Sequence, residues 1–157
     1  MDKKVSRLIE SCKLLKDNGY KFRALIVGDG KDGESYKNMV KNLKLDNEVI
    51  FLGKKKNPYP YFKLSDCLVL TSEHEGFAIV NVEAIALNLP VITTCIADST
   101  ELIENKYGYV TEKNEYAIYE CMKNFIDNGY DIKHKFDTEK YNNEALCKLK
   151  ELIEGEK

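Results

Sequence analysis

Short apolar runs alternate along the chain with stretches in which apolar residues recur every three or four positions. Val5, Leu8, Ile9, Cys12 and Leu15 fall at helical spacing with lysines and acids between them, and Asn18-Gly19 supplies a stop, so residues 5–16 predict an amphipathic helix. Phe22 to Val27 is a short apolar run ended by Gly28-Asp29-Gly30, the pattern of a buried strand running into a tight turn. Tyr36, Met39, Val40 and Leu43 mark a second helix. Val49 to Gly53 repeats the strand-then-glycine pattern and leads into a loop, 54–60, that carries two prolines, with a short helix expected at Tyr61, Phe62 and Leu64. Cys67 to Ser72 reads as a third strand, followed by Glu73-His74-Glu75-Gly76 and a nearly all-apolar helix over about 77–88. Pro90 to Thr94 makes a fourth strand, a weak helix follows at about 100–105, Tyr109-Val110 is a short strand, and about the last fifty residues are helical in pattern. Strands and helices alternating at these lengths predict an α/β fold, a doubly wound parallel sheet covered on both faces, in one domain spanning 1–157.

In such sheets ligands bind at the carboxyl ends of strands, where glycine turns let the backbone approach and helix N-termini offer free amides to anions. Two places qualify. Gly28-Asp29-Gly30-Lys31-Asp32-Gly33 satisfies GxGxxG between a strand and a helix. The dinucleotide fingerprint also needs an acidic residue at the end of the next strand, and here that strand runs into Gly53-Lys54. The turn is therefore compatible with a purely geometric role, and a nicotinamide-dependent oxidoreductase rests on this match alone.

The second place is Ser72 to Ala84. Nine of the twelve residues from Phe77 to Asn88 are apolar, which predicts a helix with no broad solvent face, yet it carries Glu83. A carboxylate on a buried helix costs several kcal/mol, roughly, unless it is paired or hydrogen-bonded. Glu83 therefore either bonds to a structural donor or accepts from a ligand's hydroxyls in a cleft. Glu75 lies eight residues earlier, which on a helix puts the two carboxylates about 12 Å apart in similar directions. That separation fits two ends of an extended polar ligand better than an acid/base pair around one bond, and the free amides between them suit an anionic middle.

Composition narrows the classes. A net charge of −2 with 43% hydrophobic residues supports a folded core and shows no basic field of the kind nucleic-acid binders carry; Lys54-Lys55-Lys56 reads as a solvated loop. The five cysteines, Cys12, Cys67, Cys95, Cys121 and Cys147, include no CxxC pair and fit reduced thiols in the cytoplasm. The amphipathic, charged N-terminus reads as neither a signal peptide nor a membrane span. His74 and His134 are sixty residues apart and read as exposed histidines, so no metal site is expected.

Ser72-Glu73-His74-Glu75-Gly76-Phe77 with Val82-Glu83-Ala84 resembles the S-x-x-E-G-F and E-x7-E pattern in the donor-binding domain of family 4 (group 1) glycosyltransferases, enzymes of GT-B architecture with a Rossmann-like C-terminal half. Leu89-Pro90-Val91-Ile92, Leu25 to Gly30, Val49 to Gly53, Ser65-Asp66, Glu101-Leu102-Ile103 and Gly108 fall in the family's order, and the resemblance covers roughly residues 3–130. It implies that Glu75, the expected catalytic residue, and the amides around Gly76, Phe77, Ala78 and Ile79 contact the transferred sugar and its diphosphate. By the same resemblance Glu83 holds the ribose diol, Gly28 and Gly30 line the cleft, and backbone after Gly53 meets the base. Lys3 stands where the family's phosphate-binding lysine is expected, since Lys3 to Ile9 resembles K-G-x-x-x-L-I with Lys4 in place of the glycine.

The implied reaction transfers a sugar from a nucleoside diphosphate sugar, a UDP-sugar being the expected donor, to an acceptor hydroxyl with retention and without a metal or other cofactor. The usual setting is cell-wall or other polysaccharide biosynthesis, in the cytoplasm or at the inner face of the membrane, with a glycan or lipid-linked glycan as acceptor. The resemblance also implies departures. An N-terminal acceptor-binding domain and the first strand of the donor domain are not in this sequence, and Ala78, Asn88 and Ala97-Asp98 replace family glycines. Without that strand, the strands at 22–27 and 67–72 either close up against each other or receive a strand from another chain. The chain is accordingly not expected to turn over alone. A split glycosyltransferase subunit, or a catalytically silent nucleotide-binding or interaction module, stands as the alternative.

Overall fold

The apolar runs become strands and the periodic stretches become helices. A computed structural model describes residues 3–74, 78–95, 102–104, 106–132 and 135–143. The elements are α1 (Val5–Asp17), β1 (Ala24–Val27), α2 (Gly33–Asn42), β2 (Val49–Gly53), α3 (Tyr59–Leu64), β3 (Leu68–Leu70), α4 (Ile79–Ala86), β4 (Val91–Thr94), β5 (Gly108–Thr111) and α5 (Glu115–Asn128). Residues 102–103 and 138–143 are also helical. The C-terminal stretch is thus less uniformly helical than its pattern predicts, since α5 ends at Asn128 and residues 129–132 and 135–137 are irregular.

Among the described residues every ladder is parallel, and the sheet is in two pieces. β1 pairs with β2, Ala24 opposite Val49, while β4 lies between β3 and β5, with Leu68 opposite Val91 and Val91 opposite Gly108. Among the described residues no ladder joins β1 to β3. Of the two outcomes foreseen for these strands, closing up against each other is not the one seen, and each keeps an edge unpaired among the described residues; Leu25 and Val27, on one face of β1, are 37% and 36% exposed.

On β1 the face carrying Leu25 and Val27 is left uncovered, so the expectation of a sheet covered on both faces holds for one piece only. Helices cover both faces of the β3–β4–β5 piece, and β4 shows how. All four of its residues are buried, and alternation sends neighbours to opposite sides. Ile92 joins Ile9, Cys12 and Leu15 of α1, Val40 of α2, Val49 of β2 and Ile118, Tyr119 and Met122 of α5 in one core. Val91 joins Phe62 of α3, Ala84 and Ile85 of α4, Leu89, Ile103, Tyr107 and Phe136 in the other. The first core reaches both halves of the sheet, so α1 spans the interruption.

Three helices end alike. After α1, α2 and α4 the chain turns through left-handed Gly19 (φ 81°), Lys44 (φ 57°) and Asn88 (φ 57°). The next amide in each case reaches back to the last turn: Tyr20 to the Leu15 carbonyl, Leu45 to Val40 and Leu89 to Ala84, at 2.9–3.0 Å. This is the Schellman arrangement, and Asn, which tolerates left-handed backbone, performs it at position 88 in place of the family's glycine. Gly108 is required for a different reason: a Cβ there would stand 1.8 Å from the Val91 carbonyl oxygen across the β4–β5 pair.

Candidate donor site at the carboxyl ends of the strands

β1 ends at Val27 and turns through Gly28, whose φ of 135° only glycine adopts readily. The Gly28 amide donates to the Gly53 carbonyl at 3.0 Å, which ties the turn after β1 to the end of β2. Asp29 Oδ1 accepts from the Gly30 amide at 2.9 Å, and Gly33, the third glycine of the motif, opens α2. This turn is exposed, and among the described residues no hydrogen bond links it to α4.

From Gly53 the chain crosses the lysine-rich loop into α3. Asn57 Oδ1 accepts from the Tyr59 amide at 3.1 Å, and Pro60 lies in the first turn of the helix. The Tyr59 ring meets Phe62 edge-on, centroids 6.1 Å apart, and its hydroxyl donates to Glu83 Oε1 at 3.0 Å. That bond joins the loop after β2 to the middle of α4 and pushes the Tyr59 phenol above its usual range, chiefly through the hydrogen bond and secondarily through the negative charge.

Glu83 is half-buried, and α4 is less buried than its composition predicts. Asn81, Ala84 and Ile85 face the sheet, while Ile79 is 61% exposed. The carboxylate is thus not a buried charge needing a cation, and among the described residues no ion pair reaches it. Of the two partners foreseen for it, a structural donor is present on one oxygen. At the start of α4 the Asn81 amide bonds back to the Ala78 carbonyl at 2.9 Å, and the amides of Ile79 and Val80 have no acceptor within the helix. The fully buried Asn81 side chain has neither its oxygen nor its nitrogen hydrogen-bonded.

Beyond β3, Thr71 Oγ1 donates to the Lys3 carbonyl at 2.9 Å and to the Lys4 carbonyl at 3.1 Å, which fixes the entry to α1 against the end of this strand. Thr94 Oγ1 donates to the Ser72 carbonyl at 2.7 Å. Glu73 pairs with Arg7 at 2.5 Å, and Lys113 Nζ donates to the Glu73 carbonyl at 2.8 Å. The hydrogen bond from Arg7 holds the Glu73 carboxyl below the usual range, and Nη1 of Arg7 is buried without a partner.

Of the residues singled out by sequence, Lys3, Gly28, Gly30, Ala78, Ile79 and Glu83 stand at this end of the sheet or along α4; Glu75, Gly76 and Phe77 lie outside the described residues. So do His134, Cys147 and residues 96–100, while His74 is exposed. Sequence reasoning passed over Tyr59, Arg7 and Asn81. The one signal for Asn81 is a lone amide inside Ile79-Val80-Asn81-Val82; Tyr59 had only its place after the second glycine turn.

The family described as "Glycosyl transferases group 1" matches residues 1–143. A glycosyltransferase of Methanocaldococcus jannaschii is 34% identical over 113 residues, which cover 71% of this chain and 28% of the relative. The capsular polysaccharide biosynthesis glycosyltransferase CapM of Staphylococcus aureus is 28% identical over 133 residues, covering 80% and 34%. The chain thus spans about a third or less of the length of these relatives. A structure of S. aureus TarM holding UDP superposes with a TM-score of 0.77 at 24% identity, over 82% of this chain and 27% of that one. No helix among the described residues is long and apolar enough to cross a membrane. The chain belongs to the group 1 glycosyltransferases, and its Rossmann-like fold corresponds to the C-terminal portion of their GT-B architecture.

Proposed function

We propose that this chain is the donor-binding half of a retaining glycosyltransferase that uses a UDP-sugar in polysaccharide biosynthesis. The observation that carries the reading is Glu83: a half-buried carboxylate on α4, held by a neutral phenol on one oxygen and paired with no cation among the described residues, a few residues past free helix N-terminal amides. A carboxylate in that state accepts hydrogen bonds from a vicinal diol, and the amides of Ile79 and Val80 suit the diphosphate. Glu75 and the backbone of Gly76, Phe77 and Ala78 are assigned to the sugar and its phosphates by family resemblance, and Lys3 to the diphosphate. Gly28 and Gly30 let a ligand approach the backbone at the end of β1.

Charge develops on the departing diphosphate as the sugar leaves, and fixed amide dipoles with a nearby lysine stabilise it without reorganisation. No metal or other cofactor is invoked. The acceptor, a glycan or lipid-linked glycan, is assigned to a further domain of the kind that makes the relatives longer.

The test is titration with UDP, GDP and ADP, with Glu83→Gln as control. Saturable UDP binding with Kd of about 10 μM to 1 mM is expected, weakened in the control by about 1–3 kcal/mol with the unfolding midpoint unchanged. Unchanged affinity together with a lowered midpoint would defeat the assignment.

A further inference from the structure

This inference rests on the reading of Glu83 as the ribose-binding carboxylate and extends it to the group that sets its pose. An ionised carboxylate offers about four lone-pair positions. Tyr59 occupies one of them on Oε1, and among the described residues no other donor or cation takes the rest. A half-exposed glutamate otherwise spreads over several rotamers, and ordering it on binding weakens the complex. Tyr59 is itself held, by its amide bond to Asn57, by its place next to Pro60 at the start of α3 and by the edge-on contact with Phe62.

The choice of donor matters too. Lysine or arginine at this place would neutralise the carboxylate and compete with the ligand for it, whereas a phenol supplies a single proton and leaves the negative charge in place. A phenol is protonated at neutral pH in any case, and the hydrogen bond to Glu83, with its negative charge, moves ionisation still further up.

We infer that Tyr59 is a positioning residue that presents Glu83 to a ribose diol, so that preference for a ribonucleoside over a 2′-deoxyribonucleoside diphosphate depends on the Tyr59 hydroxyl. The same bond fastens the loop after β2 to the middle of α4.

The experiment titrates UDP and 2′-deoxy-UDP into the unaltered chain, Tyr59→Phe and Glu83→Gln, with a thermal midpoint for each. The unaltered chain is expected to prefer UDP, and Tyr59→Phe to weaken UDP by about three- to tenfold while changing 2′-deoxy-UDP by less than about twofold. An intact preference in Tyr59→Phe, with a lowered midpoint, overturns the inference and leaves the phenol as a loop fastener. A preference that is absent in the unaltered chain, or that survives in Glu83→Gln, overturns the reading of Glu83 and this inference with it. The two failures are separate because the Tyr59→Phe result can fail while the unaltered chain still prefers UDP and Glu83→Gln still loses that preference.

Discussion

Lys4 precedes α1 with φ 44° and ψ 48°, left-handed backbone that disfavours a side chain by roughly 1–2 kcal/mol. The resembling family has glycine at this position, and the dihedrals explain why. The carbonyl of Lys4 accepts from Thr71 Oγ1 and from the Arg7 amide, so the conformation is held by bonds that any residue can make. Lys4→Gly is therefore expected to stabilise the chain by about 0.5–1 kcal/mol, the relief of strain less the greater unfolded freedom of glycine. A higher urea midpoint at constant slope is the measurement; an unchanged or lower midpoint would mean that the Lys4 side chain's own contacts outweigh the strain. Asn88 is the counter-case. There the departure from the family's glycine leaves the Schellman bonds intact, so the sequence change alters chemistry at the position without altering the backbone path.

At the scale of elements, periodicity placed each strand and helix in order because each has one apolar face or run that must be covered. It read α4 less well. Nine apolar residues in twelve predict burial all round, but Ile79 projects outward and Glu83 sits half in solvent, since composition counts apolar residues without saying which face has a neighbour. The Tyr59–Glu83 bond was likewise illegible: it joins residues twenty-four positions apart and exists only once β2, α3 and α4 are placed side by side. Gly108 is where element geometry is least forgiving. A methyl group 1.8 Å from the Val91 carbonyl forces β4 and β5 apart, and Val91 and Ile92 of β4 supply both cores. Gly108→Ala is expected to cost about 2–3 kcal/mol, seen as an earlier urea transition in the helical circular dichroism. A loss under about 0.5 kcal/mol would mean that the two backbones lie farther apart at Gly108 than a 1.8 Å contact requires.

For the molecule as a whole, the interrupted sheet decides what holds the two halves together. Motif order made the gap between β1 and β3 legible, but not its outcome, because whether two open edges meet depends on the spacing that the covering helices impose. Here they stay unpaired among the described residues, and the connection is side-chain packing. Ile9, Cys12 and Leu15, all fully buried on α1, lie in the core that also holds Val49 of β2 and Ile92 of β4. Burial pushes the Cys12 thiol up to about 12, so at neutral pH it packs there as an uncharged group. Packing of this kind lacks the directionality of a ladder and weakens steeply when a side chain is cut back. Leu15→Ala is expected to remove about 2–5 kcal/mol, and native-state hydrogen exchange should show where. If packing on α1 is the tether, the β1 amides bonded to β2 lose protection first, while those joining β3, β4 and β5 exchange only through global unfolding. Equal loss in both halves would instead show that the divided sheet unfolds as one cooperative unit, with the connecting strength spread across α5 and the β2 side of the core rather than concentrated on α1.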